Sequence, residues 1–243
     1  MDVTLLYHTP EPERAVATAA RLCYAPVGGR ELMESLTDEK IRKVLTTIMS
    51  SGHFSTLEHA SYTFAVEGVS RALTHQLVRH RLASYNQQSQ RYVKFKEEPP
   101  IVRPASVDIN PEAAQAFDEA IDACWQAYDK LVQAGVPAED ARYILPNATE
   151  TKIVCTFNAR SRLNFFSLRC CTRAQWEIRA LANEMLRQVK EVAPVIFENA
   201  GPTCVSEGVC HEGEMSCGRL QAILAQRAKQ EAAAKDAKEG AAQ

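Results

Sequence analysis

A chain of 243 residues has room for one sizeable core or two small ones. Apolar residues at 46% and aromatic residues at 7% exclude wholesale disorder. A formal net charge of −2 argues against a general nucleic-acid coat or an anionic-membrane binder, since both need surplus Lys and Arg.

The N-terminal Met1-Asp2-Val3-Thr4-Leu5-Leu6 has neither a basic stretch nor a long apolar run, so no signal peptide is expected. Residues 3–7 read as a strand. Residues 11–23 read as a helix, with Pro10 and Pro12 at its start. The next helix, 38–49, takes Thr37 as N-cap and Gly52 beyond its end. A strand over 60–66, a helix over 69–81 and a strand over 91–95 follow. Pro111 opens a long helix over 112–134, which Gly135 and Pro137 close. A shorter helix spans 138–145, a strand 152–157, and two further helices 163–169 and 174–192. No apolar run is long enough to span a bilayer, and a cytoplasmic location with eight reduced cysteines is expected. The fold class is α+β: a single domain over 1–225 with a mostly antiparallel sheet and long helices. The Ala/Lys/Glu-rich tail, 226–243, is expected to be frayed or disordered, because it has almost nothing to bury.

The acids are unevenly spread. Residues 68–96 contain none, yet carry Arg71, Arg79, Arg81, Arg91, Lys94 and Lys96. Residues 151–176 again contain none, with Lys152, Arg160, Arg162, Arg169 and Arg173. An even spread would place about seven acids in these two windows. An arginine without a carboxylate neighbour keeps its planar donors for an anionic ligand. Arg79-His80-Arg81, read as three successive helix positions, covers about 200° of the circumference, too much for one solvated face. The uncharged donors and acceptors that follow, residues 84–90, suit the lining of a polar ligand site.

These residues carry a recognisable pattern. Arg79-His80-Arg81, then Ser84, Asn86, Ser89 and Arg91, fixes seven positions within 13 and resembles the signature of the flavin-dependent thymidylate synthases. His53-Phe54-Ser55-Thr56-Leu57-Glu58-His59 resembles that family's upstream element. Ala141-Arg142-Tyr143 and Asn158-Ala159-Arg160 through Arg169 resemble its later substrate and flavin elements. The resemblance implies conversion of dUMP to dTMP, with methylenetetrahydrofolate as carbon donor and NADPH as reductant through FAD. It also implies a homotetramer with each active site at a subunit junction. It assigns Ser55, Arg79, His80, Arg81, Gln87, Asn158, Ala159, Arg160 and Asn164 to FAD. It assigns Gln76, Arg79, Gln87, Gln88, Ser89, Gln90, Arg91, Arg142 and Arg169 to dUMP, with 88–91 reaching a neighbouring subunit. Gln87 stands where many members have Glu, and Arg173 where some have His.

Methylation at C5 of uracil requires that carbon to become nucleophilic. Cys170 and Cys171 read as core thiols, not as nucleophiles. Arg169 is the catalytic candidate: a cation against the N3/O4 edge stabilises negative charge there and enriches C5. Arginine keeps its proton at neutral pH, so it acts as a fixed charge. Ser89 reads as a hydroxyl donor to the substrate phosphate. His53 and His59 lack the spacing of helical metal ligands, and no metal is expected there. Cys204, Cys210, His211 and Cys217 lack the Cys-x-x-Cys spacing of common zinc sites; they read as reduced loop thiols and no metal is expected, with a zinc or iron–sulfur site as the alternative. Two other readings compete for the basic segment. A nucleic-acid module requires a basic overall charge, and an oligomerisation domain requires carboxylates near the arginines.

Overall fold

A computed structural model describes residues 1–240, with side chains through 230. The strands are β1 (Asp2–His8), β2 (Ser61–Ser70), β3 (Ala83–Gln87) and β4 (Glu150–Asn158). The helices are α1 (Pro12–Leu22), α2 (Gly29–Ser35), α3 (Asp38–Ser51), α4 (Arg71–Leu77), α5 (Ala105–Asp108) and α6 (Pro111–Gln133). They continue as α7 (Ala138–Ala141), α8 (Ala159–Arg169), α9 (Trp176–Val192), α10 (Thr203–Ser206) and α11 (Arg219–Gly240). The α+β class with an antiparallel sheet is as expected. Two compact units alternate along the chain: Met1–Thr9 with Ser61–Asn158, and Pro10–Ala60 with Ala159 onward. Because neither unit is one continuous segment, the sequence shows no linker.

The first unit holds a four-stranded sheet of order β1-β2-β4-β3, antiparallel throughout. Period-two alternation buries Tyr62, Phe64 and Val66 of β2 and Ile153, Cys155 and Phe157 of β4. On the opposite face Thr63 and Thr156 share a hydroxyl hydrogen bond of 2.9 Å. The β2–β4 register slips between Val66 and Val69, where Gly68 adopts φ 67°. A Cβ there would stand 3.1 Å from the Met1 backbone nitrogen, so both conformation and space favour glycine. Helix α4 packs on β2 and β4 and buries Leu73 and Leu77.

Two sequence expectations fail in this unit. The helix over 69–81 ends at Leu77, and β3 follows at once from Ala83. The expected strand at 91–95 is irregular chain. Phe95 is instead held by α6: its N–H donates to the Tyr128 hydroxyl at 3.3 Å, and the two rings meet edge-on with centroids 6.1 Å apart. Tyr85 is the only apolar-bodied residue larger than alanine in β3, so little hydrophobic alternation marks that strand in the sequence.

The second unit is helical. Val16, Leu45, Leu57, Phe165, Phe166, Leu181, Met185 and Phe197 form its core. Thr37 caps α3, accepting from Lys40 N–H at 3.4 Å, and Gly52 closes it in the left-handed conformation (φ 73°), both as expected. Glu13 of α1 accepts from the N–H groups of Val195 and Ile196 at 2.5 and 3.1 Å. Those donors follow Pro194, where α9 has ended, and each charge-assisted bond contributes about 1.5–3 kcal/mol. Helix α11 continues to Gly240, through most of the tail expected to fray, as Ala, Lys and Glu propensities favour. Residues 241–243 of that expectation lie outside the described residues. Among the described residues no helix is long and apolar enough to cross a membrane.

Candidate active site

In the sheet unit, residues 79–81 lie on the turn between α4 and β3. His80 N–H donates to Leu77 O at 3.1 Å and Arg79 N–H to Gln76 O at 3.3 Å. The Tyr85 hydroxyl lies 2.9 and 2.8 Å from the carbonyl oxygens of Leu77 and His80, and its one proton is shared between them at the helix end. Its ring packs edge-on against Phe157 with centroids 5.7 Å apart, so the sheet core fixes the turn from below. The three residues therefore do not wrap around a helix, and the argument from helical circumference does not hold. Arg79 and Arg81 are exposed, and His80 is half-buried. The Arg79 guanidinium lies 3.2 Å from His75 Nε2, and no ion pair joins Arg79 or Arg81 to a carboxylate among the described residues.

After β3, Gln88 N–H pairs with Lys152 O at 2.9 Å, and the Ser89 hydroxyl accepts from Arg91 N–H at 3.1 Å. The Arg91 side chain reaches Glu139 at 2.5 Å, while Arg142 Nε donates to the Glu139 carbonyl at 3.0 Å. Glu139 thus brings together two predicted substrate residues lying 51 positions apart in sequence. Arg71 belongs to the same neighbourhood: burial, and then the Arg142 charge, lower its pKa below the ordinary guanidinium value. Two like charges held close favour an anion between or beside them. Arg71 lies in the first acid-free window but outside every motif block. Gln90 contributes a buried amide nitrogen with no partner among the described residues. Gln76 is half-buried. Gln87 points inward, donating its amide to the Thr74 and Thr151 hydroxyls at 3.0 and 3.2 Å. Its nitrogen is already engaged, which leaves its carbonyl oxygen for a ligand.

In the helical unit, a 3-10 helix, Phe54–His59, packs on α8. Ser55, Thr56, His53 and Arg160 line a cavity of about 1070 Å³ together with Arg21, Lys40 and Lys43. No Asp or Glu stands in its wall. Arg21, Lys40 and Lys43 were missed because they lie outside the acid-free windows; Lys40 and Lys43, three apart on α3, were the available signal. Arg160 donates to Glu58 at 2.6 Å, and Ala159 N–H to Ala60 O at 2.8 Å. Asn158 ends β4 in the sheet unit and is half-buried; Asn164 of α8 is exposed. Arg169 is the last residue of α8 and half-buried. Nine residues separate it from Arg160, about 14 Å along a helix, so the two cannot serve one atom.

Contrary to expectation, the acid-free windows do not leave their basic residues unpaired. Arg91 meets Glu139, Lys152 meets Glu67 at 3.6 Å, Arg160 meets Glu58, and Arg173 meets Glu212 at 3.8 Å. Each carboxylate lies outside the windows and is brought in by folding. Arg162 is buried in the core, with Nη1 3.0 Å from Met185 Sδ, and is no ligand for a solvent-borne anion.

Residues 4–195 match the family model described as "Thymidylate synthase complementing protein". A flavin-dependent thymidylate synthase of Geobacter sulfurreducens is 60% identical over 224 residues, covering 92% of this chain and 96% of that protein. One from Clostridium tetani is 53% identical over 235 residues, covering 90% and 94%. Among solved structures, the crystal structure of a UMP/dUMP methylase PolB from Streptomyces cacaoi bound with 5-Br dUMP superposes with a TM-score of 0.68. Its sequence identity is 26%, and the match covers 81% of this chain and 93% of that one.

Proposed function

The chain belongs to the thymidylate synthase complementing protein family, and from that premise we propose that it is an FAD-dependent thymidylate synthase methylating dUMP to dTMP. Methylenetetrahydrofolate supplies the carbon and NADPH the reducing equivalents. The protein works as a cytoplasmic homotetramer with active sites at subunit junctions, and it engages neither nucleic acid nor membrane. The observation that carries this reading is the complete seven-position pattern from Arg79 to Arg91, set on a turn that leaves Arg79 and Arg81 exposed and, among the described residues, in no ion pair with a carboxylate.

The residues present fit a flavin dinucleotide. A cavity of about 1070 Å³ with four cations and no carboxylate in its wall has the size and sign for a pyrophosphate-bearing ligand. Ser55, Asn158, Ala159, Arg160 and Asn164 would hold FAD, with Arg79, His80, Arg81 and Gln87 contributing. When bound, FAD supplies the hydride chemistry that amino-acid side chains lack. The chain's own residues bind and polarise. Arg91, Arg142 and the Ser89 hydroxyl hold the dUMP phosphate, and Gln76, Arg79, Gln87, Gln88 and Gln90 position the nucleotide. Arg169 sets a fixed positive charge at the uracil N3/O4 edge, so that C5 attacks the one-carbon unit without a cysteine adding at C6.

Purified protein should show a flavin absorption band and form dTMP from dUMP only when both methylenetetrahydrofolate and NADPH are supplied. A colourless protein that neither binds FAD nor forms dTMP would overturn the assignment.

A further inference from the structure

Residues 201–218 lie beyond position 195, where the family match ends, and no step of the proposed reaction uses them. Gly201, Gly208, Gly213 and Gly218 all take positive φ, so the segment turns back on itself repeatedly. Most of its side chains are exposed, and the short α10 buries only Cys204. Apolar burial of that extent does not offset the entropy of ordering such a segment. What the turns gather is sulfur. Cys204, Cys210 and Cys217 line one cavity of about 120 Å³ with Cys171, which lies just past the end of α8. All four are free thiols, and the other three stand near enough to Cys204 for their charge to act on it. Arg219 lines the same cavity and places a positive charge by the sulfurs. Glu212, also in the wall, is paired with Arg173.

The geometry points to Cys171, Cys204, Cys210 and Cys217 as the four thiolate ligands of an iron–sulfur cluster that ties residues 201–218 to the end of α8. Four cysteines are the usual complement of such a cluster, and each thiol gives up its proton on ligation. Among the described residues, no three His, Cys, Asp or Glu side chains converge as the ligand set of a single ion. A cluster does not require that convergence, because its thiolates bind separate irons around an inorganic sulfide core. Arg219 offsets the negative charge of the assembled unit.

The test is iron and acid-labile sulfide analysis of the full chain, purified without oxygen from iron-replete cells, with electron paramagnetic resonance after dithionite reduction. The expected result is about four irons and four sulfides per chain, as for a [4Fe–4S] unit, with a reduced-cluster signal distinct from that of a flavin. Cys204→Ser with Cys217→Ser should lower iron and sulfide at least tenfold while leaving flavin content unchanged. Should that variant fail to fold, oxidative bleaching of the native protein should remove iron and sulfide together and open residues 201–218 to protease. One zinc per chain without sulfide, two disulfides among the four thiols, or no bound metal would each overturn the proposal.

Discussion

The Arg91 guanidinium stands 2.5 Å from the Glu139 carboxylate, so a residue assigned to the substrate phosphate is already oriented by a partner from another part of the chain. Both side chains are roughly half exposed, which limits the pair itself to about 0.2–1 kcal/mol. A dianionic phosphate competes well against one screened carboxylate. Arg91→Ala should raise the KM for dUMP about tenfold or more, the loss of a charge-assisted contact. Glu139→Gln should leave that KM unchanged or lower it. A rise as large as that of Arg91→Ala would show the pair to be structural.

Ser89 offers a hydroxyl whose oxygen accepts from Arg91 N–H. Ser89→Ala should weaken dUMP binding several-fold and leave residual turnover. Complete loss at saturating dUMP would make this serine a nucleophile instead.

The Tyr85 hydroxyl lies within hydrogen-bonding distance of two carbonyls at the base of the Arg79–Arg81 turn. Tyr85→Phe keeps the edge-on packing with Phe157 and removes the hydroxyl. We expect a stability loss of about 1–2 kcal/mol in denaturant titration and several-fold weaker FAD retention on dilution. Unchanged FAD affinity would show that the turn holds its shape without Tyr85.

Cys170 is 3% exposed, and burial pushes its thiol pKa up to about 12 from an ordinary value near 9. A raised folded pKa means that the folded state keeps a proton which the unfolded state releases. The associated stability is therefore complete below pH 9 and is lost as pH rises from 9 toward 12, by about 1.4 kcal/mol per unit. Urea midpoints measured from pH 8 to 10.5 should fall more steeply for the native chain than for Cys170→Ala. Equal slopes would place Cys170 in contact with water.

Much of the fold was legible because its signals are local. Thr37 and Gly52 bound α3, and Asn110 with Pro111 open α6, through contacts within a few residues. The strand β3 was not legible, since Ala83, Tyr85 and Gln87 offer one large apolar body among three inward positions. The electrostatics misled for the converse reason. Glu58 reaches Arg160 across 102 residues, and Glu139 reaches Arg91 across 48, so charge counted along the chain could not report charge in space. The seven-position family pattern from Arg79 to Arg91 was legible because its spacing is written within 13 residues. The cations at 21, 40 and 43 were not, because only folding places them on one cavity.

Arg169 ends α8, in the segment that leads to the thiols of Cys170 and Cys171. Those thiols offer no alternative route to an activated uracil: Cys170 is buried with a pKa far above neutrality, and Cys171 lines the sulfur cavity. If the reaction relies on a fixed cation at the uracil edge, Arg169→Ala should retain FAD at the native ratio and bind dUMP measurably, yet form dTMP about 10²–10³-fold more slowly. Arg169→Lys should recover part of that rate, because it restores the charge without the planar pair of donors. The combination to measure is flavin content, dUMP affinity and single-turnover dTMP formation on the same preparations. Turnover by Arg169→Ala at the native rate would remove the electrostatic assignment and leave that charge to cations of the sheet unit, first among them Arg142 and Arg71.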